Sequence, residues 1–251
     1  MEPIDAVIFD FHSTLVDNGN PHEWLIRALR KLAKKNGQTY QNDDDLLRRF
    51  EETTLSPVRE YQIKQSRTLC HPDIDSFTTD LHKIWEHSKK IDPKSSRDLS
   101  PELHRSVFFE TMKTHFETPH ELSEALYDTL TEGWIAYDDA IPVLKTLKGK
   151  GLKLGLISNV GFDVRPVLER EEMRDYFDSI VLSCDVDEVK PSKSIFMECL
   201  NQLQVDPMRC FMVGDDVHAD GGAALLGIRT LIIPKTIGRV HGLELVSKII
   251  C

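Results

Sequence analysis

The stretch "AVIFDFHST", residues 6–14, runs four apolar residues without interruption into a carboxylate. A continuous apolar run of this length fits a strand buried on both faces, as in a parallel sheet covered by helices on each side. Asp10 then stands at the carboxyl end of that strand, followed by Phe11, His12, Ser13 and Thr14. In open parallel sheets, ligands bind in the crevice outside the carboxyl ends of the strands. Asp10 is therefore a candidate reactive group, and the next question is what the other strands carry at the same end.

The same texture returns after residue 138. "LKLGLI" (152–157), "SIVLS" (179–183), "CFMVG" (210–214) and "RTLIIP" (229–234) are short apolar runs. Between and around them the pattern predicts helices from near Ala140 to Gly149, over 163–174, Ser192–Gln202, 219–226 and 242–250. Strands alternating with helices indicate parallel βαβ units. Residues 18–136 read differently, as helices with no strand. "HEWLIRALRKLAKKNG" (22–37) places Trp24, Leu25, Ala28, Leu29 and Leu32 on one side, with Gly37 as a stop. "DDDLLRRFEETTL" (43–55) carries acids in its first turn, where the helix dipole favours them. Windows 75–90, 101–117 and 119–136 read likewise. The expected fold class is α/β: a Rossmann-like parallel sheet flanked by helices, with an inserted all-helical domain. Residues 1–17 and 138–251 would form the core, and 18–137 the insertion.

Composition narrows the classes of function. The chain has 251 residues, 40% of them hydrophobic and 29% charged, with a formal net charge of −10. That balance argues against nucleic acid as a partner, because phosphate backbones attract basic surfaces. No stretch approaches the roughly 18 apolar residues of a membrane helix. The start, Met1-Glu2-Pro3, lacks the pattern of a secretory signal. The five cysteines, Cys70, Cys184, Cys199, Cys210 and Cys251, are odd in number and show no CxxC spacing. The expectation is reduced thiols in a cytoplasmic protein.

Four strand ends carry polar side chains in one register. They are Asp10-Phe11-His12-Ser13-Thr14, Ser158-Asn159, the loop reaching Lys190-Pro191, and Gly214-Asp215-Asp216 with His218 and Asp220 beyond. An aspartate beside a divalent cation can attack phosphorus and form an aspartyl-phosphate. Mg²⁺ takes hard oxygen ligands, which Asp10, Asp215 and Asp216 supply. A transferring phosphoryl group needs positive charge and hydrogen-bond donors, which Lys190 and Ser158 supply. The other histidines carry no ligand spacing.

In these residues the chain resembles the haloacid dehalogenase-like hydrolase superfamily, over 4–17 and 138–234. "VIFDFHST" is similar to its first motif, "LGLISN" to its second, "VKPSKSIF" to its third and "FMVGDDVHADGGAALLGIRTLII" to its fourth. The insertion point matches the C1 type of helical cap. The resemblance implies Asp10 as nucleophile with Lys190 beside it, and His12 at the place of the family's acid–base residue is the third expected catalytic residue. It implies phosphate binding by Ser158, Asn159, Thr14 and Lys190. It implies Mg²⁺ held by Asp10, the backbone carbonyl of His12, Asp215 and Asp216, with Asp220 a further candidate.

Two residues depart from the pattern. His12 stands where phosphatases of this family have an acid–base Asp, and Ser13 stands where Gly is usual. Imidazole can do acid–base work near neutral pH. The expected function is a Mg²⁺-dependent phosphatase for a small phosphorylated metabolite, monomeric or homodimeric, with no nucleic-acid or membrane partner. The alternatives are a carbon–halogen hydrolase, or a catalytically weak relative that binds a ligand or protein.

Overall fold

The computed structural model describes residues 3–65, 71, 73–236 and 238–250, so Cys70 and Cys251 lie outside the described residues. The chain divides into two units. One comprises Met1–Asn18, Arg97–Leu103 and Trp134–Cys251; the other comprises Gly19–Ser96 and His104–Gly133.

Among the described residues the first unit contains seven strands: β1 (Ala6–Phe9), β2 (Val16–Asp17), β3 (Ile135–Ala136), β4 (Lys153–Ser158), β5 (Ser179–Leu182), β6 (Cys210–Gly214) and β7 (Arg229–Ile232). Five form a sheet in the order β5-β4-β1-β6-β7. Every pairing in it is parallel. This is the Rossmann-like α/β arrangement expected from the apolar runs. β1 is central, with Phe9 opposite Leu156 on one side and Val213 on the other. All four of its residues are fully buried, which is why the sequence there has no polar alternation. Asp10 N–H continues the ladder, donating to Val213 O at 2.9 Å, so the backbone of the candidate nucleophile is held by the sheet. One face of the sheet is sealed by the helix Lys193–Leu203, whose Ile195, Phe196, Cys199, Leu200 and Leu203 pack with Ile8, Ile157, Val181 and Met212.

Several expected elements differ in extent. The helix over 163–174 is only Arg165–Arg170, because Glu172 turns to φ +56° and breaks the ladder. The helix over 219–226 is a 3-10 helix, Asp220–Leu226. The expectation of no strand in 18–136 fails at Ile135–Ala136, which pairs antiparallel with Val16–Asp17. Segment 97–103, placed in the insertion from sequence, groups with the first unit. There Ser183 Oγ donates to Asp98 O at 2.5 Å.

The second unit is helical. Its first helix, Pro21–Lys35, starts on Asn20, whose side chain accepts from His22 N and Glu23 N, and buries Trp24, Leu25, Ala28, Leu29 and Ala33. Helix Asp43–Phe50 is capped by Asn42 and continues through a π-helical turn, Glu51–Leu55, into Ser56–Lys64. Ile74–His82, Ile84–Ser88, a second π-helical turn Met112–Phe116 and His120–Asp128 follow. Phe77, Leu81, Phe108, Met112 and Leu126 are fully buried within this unit. Among the described residues no helix is long and apolar enough to cross a membrane.

Phe196 tests the sheet–helix core. Its side chain is wholly buried, so Phe196→Ala is expected to cost about 3–5 kcal/mol of stability. Urea unfolding measures this, and a loss below about 1 kcal/mol would mean the face is not close-packed as described.

Candidate active site

The carboxyl ends of β1, β4 and β6 converge on a cavity of about 210 Å³ lined by Asp10, His12, Ser13, Ser158, Asn159, Lys190, Asp215, Asp216, Ala219 and Asp220. The loop after β1 is wound tightly: Ser13 N donates to Val16 O at 2.8 Å, and Leu15 N to Phe11 O at 2.9 Å. Ser13 takes φ +59°, the left-handed region that glycine adopts most readily. The glycine-type turn is thus kept without glycine. Thr14 is fully buried and its hydroxyl donates to Asp10 Oδ2 at 3.1 Å.

Lys190 is the centre of the cluster. Its ammonium donates to Asp10 Oδ1 and Asp220 Oδ1, both at 2.6 Å, and to Ile157 O at 3.2 Å. An ammonium has three N–H donors, and all three are committed. The backbone of Lys190 is clamped in turn by Asn159, which accepts from Lys190 N at 2.7 Å and donates to Lys190 O at 3.0 Å. Burial alone would lower the Lys190 pKa; the Asp10 and Asp220 carboxylates outweigh it and hold the group above the ordinary lysine range.

The third carboxylate is Asp215. Single oxygens of Asp10, Asp215 and Asp220 lie within 4.8 Å of one another. Burial, then repulsion from Asp10 and Asp220, pushes the Asp215 pKa up to about 7. Burial first, and the Asp10 charge, also raise Asp220 against the opposing Lys190. Three carboxylates face one ammonium, so the cluster is short of positive charge. Hard oxygen donors in that state fit Mg²⁺, which is bound through a few carboxylates and keeps waters and substrate oxygens. A cation there would reverse the repulsion that raises these groups.

Three residues assigned a site role from the sequence have other partners in this geometry. Asp216 was expected among the metal ligands, but the carboxylate that joins Asp10 and Asp215 is Asp220. Asp216 Oδ1 accepts instead from His218 N at 2.7 Å and Ala219 N at 2.8 Å, capping the turn. Asn159 and Thr14 were expected to bind phosphate, but the Asn159 amide is spent on Lys190 and the Thr14 hydroxyl on Asp10. Both position the charged pair. His218 is exposed and outside the cavity. Ser158 lies where expected, buried at the end of β4 and lining the cavity.

His12 lines the cavity with its ring edge-on to Trp134, the centroids 4.0 Å apart. Its Nε2 is sealed from solvent and has no hydrogen-bond partner among the described residues. Burial, then the charges of Lys235 and Lys190, push its pKa down to about 3, so the imidazole is neutral at physiological pH.

Two glycines make room for the cluster. A Cβ on Gly214 would lie 2.1 Å from Asp220 Oδ2, and one on Gly222 would lie 2.5 Å from Pro191 Cβ, beside Lys190. Gly221, between them in sequence, has nothing within 4 Å of an added Cβ. Gly214→Ala is expected to cost about 1–3 kcal/mol by displacing the Asp220 carboxylate. Gly221→Ala is expected to stay within about 1 kcal/mol of the native protein. Urea unfolding of the two variants checks the contrast, and equal effects would contradict this packing.

Comparison with known proteins gives the same fold and places the cluster in a family. A family model for haloacid dehalogenase-like hydrolases matches residues 4–226. The chain is 36% identical over 157 residues to pyrimidine 5'-nucleotidase YjjG of Escherichia coli K12, covering 62% of this chain and 67% of that protein. It is 25% identical over 240 residues to the N-acylneuraminate-9-phosphatase of Mus musculus, covering 94% and 85% respectively. The crystal structure of a HAD phosphatase from Thermococcus onnurineus shares the fold, with a TM-score of 0.57 and 23% identity over 98% of this chain and 97% of that one. With a match that takes in every strand end described above, the chain belongs to the haloacid dehalogenase-like hydrolases.

Proposed function

We propose that this hydrolase is a Mg²⁺-dependent phosphatase that cleaves a small phosphate monoester through an aspartyl-phosphate on Asp10. The observation that carries the proposal is the buried Lys190–Asp10 pair at 2.6 Å, set beside two further carboxylates in a cavity of about 210 Å³. The names of the relatives, a nucleotidase and a sugar-acid phosphatase, support the same chemistry.

In the first step an Asp10 carboxylate oxygen attacks phosphorus. The ester P–O bond breaks, and the leaving oxygen takes a proton from solvent to depart as the alcohol. In the second, water attacks the aspartyl-phosphate, inorganic phosphate departs and the carboxylate is restored. Lys190 holds Asp10 ionised and in place. Contact with the phosphoryl oxygens would require its ammonium to give up one of its three bonds. Ser158 offers a hydroxyl at the cavity wall. Asp10, Asp215 and Asp220 would hold Mg²⁺, which supplies positive charge to the phosphoryl oxygens when bound. His12 takes the acid–base position, supported by its place in the cavity and its unpartnered Nε2. It would accept the proton of the attacking water once the negative phosphoryl group sits beside it, because burial and the charges of Lys235 and Lys190 otherwise keep the imidazole neutral. We assign the helical unit the role of a C1-type cap that selects the substrate.

Phosphate release from a panel of nucleoside monophosphates, sugar phosphates and sugar-acid phosphates tests the proposal. Release is expected with Mg²⁺ and not with chelator, and Asp10→Asn is expected to lower it at least about 1000-fold. His12→Ala is expected to slow turnover about 100-fold and to let phosphate accumulate on Asp10. Halide release from 2-haloacids in the presence of chelator, with no phosphate release from any ester, would replace the phosphatase reading with a dehalogenase.

A further inference from the structure

The helical unit contains a second cluster of ligating side chains, unrelated to the sheet-end site. His71, His87 and His115 all present Nε2 to the carboxylate of Asp80. His71 Nε2 is 3.0 Å from Asp80 Oδ2, His115 Nε2 is 3.6 Å from the same oxygen, and His87 Nε2 is 3.5 Å from Oδ1. One ligating atom from each of His71, Asp80 and His115 falls within 4.8 Å of the others. The four residues come from different places in sequence: His71 precedes the helix Ile74–His82 that carries Asp80, His87 sits on Ile84–Ser88, and His115 on the π-helical turn Met112–Phe116.

The rings are fixed from behind. His71 stacks on Phe116 with centroids 5.1 Å apart and meets Phe77 edge-on at 5.4 Å. His87 and His115 stack on each other at 3.7 Å. What the packing does not supply is a partner for two of the nitrogens. Nε2 of His87 and of His115 are both sealed from solvent and make no hydrogen bond among the described residues, although each points at a carboxylate. Buried polar atoms are almost always bonded, so two orphans facing one acceptor call for a further group between them.

Imidazole nitrogens with one carboxylate are the donor set of zinc and its transition-metal neighbours, whereas Mg²⁺ and Ca²⁺ take oxygen. Tetrahedral Zn²⁺ with bonds near 2.0 Å sets its donors about 3.3 Å apart. The two separations from Asp80 Oδ2, 3.0 and 3.6 Å, bracket that value. We propose that His71, Asp80 and His115, with His87 stacked against His115 at the edge of the set, form a binding site for a divalent transition-metal ion, Zn²⁺ by its ligand chemistry. The ion is structural. It ties three segments of the unit together and takes no part in hydrolysis.

The test uses the full-length protein, stripped with chelator and then supplied with excess Mg²⁺ to fill the oxygen site. Zn²⁺ titration by calorimetry is expected to give one ion per chain, and Co²⁺ is expected to give the visible bands of a four-coordinate, nitrogen-rich site. His115→Ala is expected to weaken Zn²⁺ binding at least about 100-fold, while Asp10→Asn leaves it unchanged. His71 is only 3% exposed, so its replacement risks misfolding. His115→Gln and the Co²⁺ spectrum of the native protein then decide. Failure to take up Zn²⁺ at equimolar metal overturns the proposal. So does binding that survives His115→Ala and His115→Gln but is lost in Asp10→Asn.

Discussion

The candidate active site is built on one buried ammonium shared by two carboxylates. Lys190, Asp10 and Asp220 are each at most 6% exposed, and each arrives from a different segment of the chain. Removing charges from water costs several kcal/mol per ion, and the arrangement survives only if geometry and hydrogen bonding offset that cost. The surroundings answer that demand in detail. Asn159 holds the Lys190 backbone by both ends of its amide, Thr14 holds the second oxygen of Asp10, and Ile157 O takes the third N–H of the ammonium. Gly214 and Gly222 leave the space in which Asp220 and the Lys190–Pro191 loop can close on the centre. Loss of one ionic partner would strand the others, so the residues that never touch a substrate are as constrained as those that do.

The sheet was legible because burial on both faces leaves no polar residue in a strand. "CFMVG" is β6 to the residue, and the strand ends that carry Asp10, Ser158 and Asp215 follow from the same pattern. Elements whose signal is not local were not legible. Ile135–Ala136 becomes a strand only because Val16–Asp17 lies alongside it, far away in sequence. Helix Arg165–Arg170 stops at a left-handed Glu172, a position where no glycine announces the turn. At the site, which of Asp216 and Asp220 reaches Lys190 depends on the turn after β6. There Asp216 bonds the backbone of His218 and Ala219, and the 3-10 helix carries Asp220 back to Lys190. Three carboxylates in six residues gave no way to rank them beforehand. The histidines around Asp80 show the same limit, since their spacing in sequence matches no ligand motif.

The two clusters differ in a way that keeps them separate. One is all carboxylate with a single ammonium, the other mostly imidazole around a single carboxylate. Oxygen-only sites favour hard cations that retain water, and nitrogen-rich sites favour transition metals. Ions present together would therefore sort by donor chemistry rather than compete for one place.

The position of β1 in the sheet has a consequence for how the molecule is made. β1 is the first strand in sequence and the central one in space, flanked by β4 and β6, whose residues opposite Ala6 are Lys153 and Cys210. During synthesis from the N-terminus, the segments of the helical unit leave the ribosome before either neighbour of β1 exists. The strand that carries Asp10 therefore waits, apolar and without its sheet neighbours, while the helical unit is made. Only the arrival of β6 encloses it on both edges. Such long-range parallel pairing is slow and exposes strand edges while it is incomplete. The nascent chain is thus most open to misassociation, and to capture by a chaperone, in the interval that the helical unit takes to be made.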